Sequence, residues 1–134
     1  MGECGPPGGA LSPMKILSID HIQMAIPAGE EEQARHFYVE RLGFSEIPKP
    51  PALAKRGGKW LQSGTVQLHL GVDPAFHPAH KAHPAFLADD LDSWVARMRA
   101  AGYEIDTSQP ALDGYKRAHF FDPFGNRIEL MEKL

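Results

Sequence analysis

The sequence predicts an α+β fold of two βαβββ modules, forming open mixed sheets around a cleft. Two observations carry this expectation. The order strand–helix–strand–strand–strand runs twice along the chain, and the helix of each run stops at a glycine, Gly43 and then Gly102. Two such sheets, each covered by its helix on one face, leave the other faces to be buried or to line a cleft. Any chemistry is expected on those faces.

Residues 1–14 are rich in Gly and Pro and carry little to bury, so they read as a disordered tail. One domain is expected over 15–134, with module one at 15–72 and module two at 83–134. A first strand runs from Lys15 to about Ile26, where Ile22, Met24 and Ile26 alternate with His21, Gln23 and Ala25. A helix follows from about Glu30 to Leu42, with Glu30, Glu31 and Glu32 at its positive end and Ala34, Phe37, Tyr38 and Leu42 on one stripe. Phe44–Ile47 is a short strand, Pro48–Pro51 a loop, and Lys59–Gln62 with Thr65–Leu70 a hairpin turning at Ser63-Gly64. In its second strand Val66, Leu68 and Leu70 oppose Gln67 and His69. After a loop bearing His77 and His80 the pattern restarts. His83–Ala88 is a strand, and Asp89-Asp90 caps a helix with the stripe Leu91, Trp94, Val95 and Met98. Tyr103–Ile105, Tyr115–Asp122 and Asn126–Glu132 complete the second set, the last two joined by a turn containing Pro123 and Gly125.

Composition narrows the partners. A chain of 134 residues with 43% hydrophobic content and a net charge of −3 is large enough for a real core and has no basic run for nucleic acid. No apolar stretch reaches membrane-spanning length, and Cys4, the single cysteine, offers neither an internal disulfide nor a cysteine-based zinc site. The N-terminus lacks the apolar core of a signal peptide, so a cytoplasmic location is expected.

When the two halves are superimposed by their first strands, His21 falls on His83 and Gln67 on Glu129. Periodicity places His21, Gln67 and Glu129 opposite the helix-packing faces; His83 opens its strand, where periodicity says less. Two imidazoles and a carboxylate are ligands that a divalent first-row metal takes, with positions left over for water or substrate. Gln23 shares the face of His21, and His119 alternates with Ala118 and Phe120, so both are candidates to contact a ligand in the cleft. His36, His77 and His80 read as surface, Trp60 and Trp94 as core, and Arg56 and Arg117 as surface charges unless they face the cleft.

The chain resembles the vicinal oxygen chelate superfamily, which includes glyoxalase I, bleomycin-resistance proteins, fosfomycin-resistance enzymes and extradiol dioxygenases. The resemblance rests on Ile19-Asp20-His21-Ile22, on Phe37-Tyr38 with Leu42-Gly43-Phe44, on Ala82-His83-Pro84-Ala85-Phe86 before Asp90-Leu91, and on Phe121-Asp122-Pro123-Phe124-Gly125-Asn126-Arg127-Ile128-Glu129. It implies paired modules with a divalent metal (Ni, Mn, Fe or Zn) between them, and a homodimer. Carried over position by position, it implies His21, His83 and Glu129 as metal ligands, with Glu129 also catalytic. The fourth position, a glutamate in glyoxalase I, falls here on Gln67, with His69 two residues on as the alternative. Gln23, His69 and His119 would then line the substrate site. Three functions follow: a metal-dependent lyase- or isomerase-type enzyme acting on a small substrate, a metal-free drug-binding protein of the bleomycin-resistance type, or a dioxygenase.

Overall fold

The computed structural model describes residues 13–134. Of the tail expected over 1–14, all but Pro13 and Met14 lies outside the described residues; those two are exposed. Among the described residues, seven strands form two sheets. In the first, β1 (Ile22–Ile26) runs parallel to β4 (Val66–Val72), which pairs antiparallel with β3 (Lys59–Ser63), followed by β2 (Ser45–Ile47), giving the order β1-β4-β3-β2. The second holds β5 (Ala85–Leu87), β7 (Arg127–Lys133) and β6 (Tyr115–Phe121) in the order β5-β7-β6, with β5 parallel to β7. The two sheets repeat the same wiring, a parallel pair of first and last strands, as the internal repeat predicts.

Three expected elements differ. The first strand begins only at Ile22; residues 14–21 take no regular structure, and Ile16, Leu17 and Ile19 remain exposed with no strand beside them to bond. The strand expected at Tyr103–Ile105 is reduced to one bridge, Asp106 with His119. Asp106 explains the loss, because its carboxylate accepts from the Ser108 amide and hydroxyl and from Gln109, turning the chain away after that single bridge. A short helix α2 (Pro51–Ala54) stands in the expected Pro-rich loop, with Pro51 at its first position, where a missing N–H costs nothing.

The first long helix starts as α1 (Glu31–Arg35) and widens into a π-helical segment, His36–Arg41. The Leu42 amide accordingly bonds the Phe37 carbonyl at 3.0 Å, five residues back. The wide turn lets the consecutive residues Phe37 and Tyr38 both be fully buried. Phe37 meets Tyr103 and Phe120 of the second module, while the Tyr38 hydroxyl donates to Asp122 Oδ2 at 2.7 Å. The second module's helix, α3 (Leu91–Ala100), is capped by Asp90, whose side chain accepts from the Ser93 amide.

One core therefore joins both halves: Met24, Ile26, Leu68 and Leu70 from the first sheet, Ala118, Phe120, Ile128 and Leu130 from the second, with Phe37 and Tyr38 between them. Because side chains alternate along each strand, the opposite faces carry Gln67 and His69 on β4, and His119 and Glu129 on β6 and β7. Trp60 belongs with the second group. It pairs with His69 across β3 and β4 and lies on the open face rather than in the core, a correction to the sequence reading.

Candidate metal centre

The open face of the second sheet gathers three donors. Register sets their distances: Glu129 stands opposite His119 in the β6–β7 pair and opposite Ala85 in the β5–β7 pair. The Glu129 amide also bonds the Pro84 carbonyl at 3.0 Å, which draws the residue before Pro84 alongside. His83 Nε2 lies 2.9 Å from Glu129 Oε1 and His119 Nε2 lies 3.1 Å from the same oxygen. The three donor atoms sit within 4.8 Å of one another. Arg117 Nη1 reaches the other carboxylate oxygen at 3.4 Å, and its Nε and Nη2 both donate to the Pro110 carbonyl.

Hydrogen-bond chemistry then restricts what can sit between these atoms. His83 Nδ1 is 2.7 Å from the Lys81 carbonyl, which can only accept, so Nδ1 carries the proton. In a neutral ring Nε2 is then a bare lone pair aimed at a carboxylate oxygen, two acceptors 2.9 Å apart. Either the ring takes a second proton or a cation lies between the two. His119 is similarly underused, because its Nδ1 is buried with no partner among the described residues. Burial chiefly lowers the pKa of His119 and keeps it neutral. For Glu129, burial pushes the pKa up, but the His83 hydrogen bond and the nearby His119 and Arg117 outweigh it and hold the carboxyl below its ordinary value. The group thus offers an ionised carboxylate and, in His119, a neutral imidazole.

The first sheet holds the other sequence-derived candidates. His69 is sandwiched between Trp60, 4.1 Å away at 6°, and His21, 4.1 Å away at 18°. The His21 Nδ1 lies 2.9 Å from Asp20 Oδ2, which leaves its Nε2 without a partner among the described residues. Gln67 and Gln23 border the same cavity as this stack. The structure therefore brings His83 and Glu129 together with His119, and leaves His21, Gln67, Gln23 and His69 on a separate sheet of the chain.

Residues 18–130 match the profile of the Glyoxalase/Bleomycin resistance protein/Dioxygenase superfamily. The chain belongs to this superfamily. The chain is similar to YwkD of Bacillus subtilis (strain 168), with 30% identity over 131 residues, 90% of this chain and 100% of that protein. The crystal structure of a protein assigned to the glyoxalase family from Bacillus anthracis is 44% identical, with a TM-score of 0.84 over 92% of this chain and 100% of that one. TnmS3, an antibiotic binding protein from Streptomyces sp. CB03234, is 27% identical, with a TM-score of 0.65 over 89% and 100% of the two chains.

Sequence reasoning misses the place of two side chains in this group: the strand pattern puts His119 near the substrate but not among the donors, and it makes Arg117 a surface charge unless it faces the cleft. The signal for both lay in register: residues on the face of His119 and Glu129 are joined across an antiparallel pair whose turn, Asp122–Gly125, fixes the offset.

Proposed function

We propose that this member of the superfamily is a divalent-metal-dependent enzyme. It takes a small substrate through two adjacent oxygens and moves a proton on it, a reaction of lyase or isomerase type. The observation that supports this is the convergence of His83 Nε2, His119 Nε2 and Glu129 Oε1 on one point, with the outer nitrogen of His83 tied to a carbonyl. The donor set suits Ni, Mn, Fe or Zn, since neutral imidazole and carboxylate oxygen are common ligands of all four. A bound ion would polarise the substrate oxygens and stabilise negative charge that develops on them.

The chain's own residues have separate tasks. Lys81, through its carbonyl, sets the tautomer of His83. Arg117 takes one oxygen of Glu129 and leaves Oε1 facing the two histidines. Glu129, ionised at neutral pH, accepts the proton from the carbon beside the substrate oxygens. His21 and Gln67 would join this group only from a second copy, and we place them there: the active assembly is a homodimer in which the first sheet of one chain faces the second sheet of the other. The free Nε2 of His21, oriented by Asp20 as a ligand histidine is by its carboxylate, supports that placement.

A second reading is favoured by the likeness to TnmS3 and by the ring stack: a metal-free cleft that binds a drug-like molecule, with His83 and Glu129 as an ordinary ion pair. Metal analysis of protein purified without added metal or chelator separates the two. About one divalent ion per chain supports the enzyme; protein that takes up none at neutral pH, even with metal in excess, belongs to the second reading.

A further inference from the structure

The first sheet carries a cavity of about 550 Å3, within the range of small-molecule sites. Its floor is the stack Trp60–His69–His21, three rings held nearly parallel at 4.1 Å spacings. His69 in the middle is 94% buried, being only 6% exposed, and its Nε2 has no partner among the described residues. His21 at one end is 41% exposed, which leaves ring surface for a further partner.

The cavity wall adds positive charge. Lys49 and Arg56 both line it, opposed by one carboxylate, Asp20, which is already paired with His21. Lys49 Nζ donates to the Gly57 carbonyl, fixing the cation beside the turn. That turn, Gly57-Gly58, has positive φ at both residues, and a Cβ on Gly58 would lie 2.0 Å from the Leu70 carbonyl oxygen. The backbone is thus pressed against β4 so that Arg56, just before it, stands at the rim. No hydrogen bond or ion pair ties the Arg56 guanidinium among the described residues. Gln23 lies over Gly71, where a Cβ would meet its amide at 2.5 Å, so the missing side chain there makes room for a polar group facing the cavity.

We infer that this face binds a planar aromatic anion, an aryl carboxylate or its like, whose ring extends the stack at His21 and whose acid group is met by Arg56 and Lys49. Flat rings stack on flat rings in offset fashion, and a guanidinium is the side chain best shaped to take a carboxylate in two bonds. The inference deepens the proposed function by naming a substrate class, and rests on it only for the link to catalysis. Binding itself needs no metal.

The test uses full-length, chelator-treated protein and isothermal titration with three probes: 2-naphthoate, 2-naphthol with the same ring but no charge at neutral pH, and cyclohexanecarboxylate with the charge but no aromatic ring. The expected result is saturable binding of 2-naphthoate, with the other two at least about tenfold weaker. Arg56→Gln, an exposed change that leaves the fold alone, brings 2-naphthoate down to about the level of 2-naphthol, and Trp60→Leu weakens both aromatic probes. Equal affinity for 2-naphthoate and 2-naphthol, no change in Arg56→Gln, or no saturable binding of 2-naphthoate would each overturn the inference. Failure of the metal reading shows separately, as absence of divalent-ion uptake, and leaves these outcomes standing.

Discussion

Glu129 shows how neighbours change the chemistry open to a single residue. A carboxylate in the middle of an apolar strand is ordinarily a solvent-facing residue, yet here it is 4% exposed and touched by two imidazoles and a guanidinium. If it is both ligand and proton acceptor, Glu129→Gln keeps its shape and loses its basicity. Turnover should then fall about a hundred- to ten-thousand-fold, and should stay low when metal is saturating. Recovery of near-wild-type turnover with excess metal would reduce Glu129 to a ligand. Its pH behaviour has a definite sign in metal-free protein. The carboxyl pKa is lowered from 4.5 and that of His119 from 6.5, so both groups favour their deprotonated forms in the folded state. Each contributes stability that is present above its unfolded pKa and is lost as pH falls through the lowered one. Thermal melting should therefore shift downward as pH drops from about 7 towards 4, and His119→Asn should flatten the upper part of that window. An unchanged pH slope in the variant would count against the burial argument for His119.

At the scale of elements, the turn Asp122–Asn126 holds the site by joining parts distant in sequence. Asp122 accepts from Tyr38, from the Phe124 amide and from Asn126, while Asn126 donates to the Ala25 carbonyl of β1 and accepts from the Ala79 amide. Asn126 is buried, so Asn126→Ala leaves the Ala25 carbonyl and Ala79 amide without partners. The expected cost is about 2–4 kcal/mol, read as a drop in denaturation midpoint, together with weaker metal binding as the loop carrying His83 loosens. A loss under about 0.5 kcal/mol would contradict the bridging role. This turn was legible in the sequence as Asp-Pro-Phe-Gly-Asn between apolar strands, and Gly125 has the positive φ of 94° that such a turn requires. The two long helices and the hairpins were legible for the same reason, since alternation and glycine stops are local signals; the short helix α2 was not. The missing strand at Tyr103–Ile105 was not, because the bonds that turn Asp106 away come from Ser108 and Gln109, two and three residues further on. The π-helical turn was also invisible: burying Phe37 and Tyr38 together is a demand of the second module's packing, not of the helix itself.

At the scale of the whole molecule, the repeat located the candidate residues but not their grouping. Offset alone pairs His21 with His83 and Gln67 with Glu129, and in the structure the members of each pair stand in or just beside different sheets. Which donors meet is decided by how the sheets pack and by how chains pair, neither of which a periodic pattern encodes. His119 was found by cross-strand register instead, a contact between residues 10 apart on the same hairpin. If the homodimer completes the group, light scattering at micromolar concentration should give twice the chain mass; a monomer would confine the site to His83, His119 and Glu129. The central claim, that these residues hold a divalent ion, is tested most directly by titrating chelator-treated protein with Co2+ and following its visible absorption. The account predicts a saturable spectrum at about one ion per chain for wild type, lost in His83→Ala and in Glu129→Ala while circular dichroism shows both variants folded. Absence of a saturable Co2+ spectrum in wild type, or an unchanged titration in the folded His83→Ala variant, would contradict it.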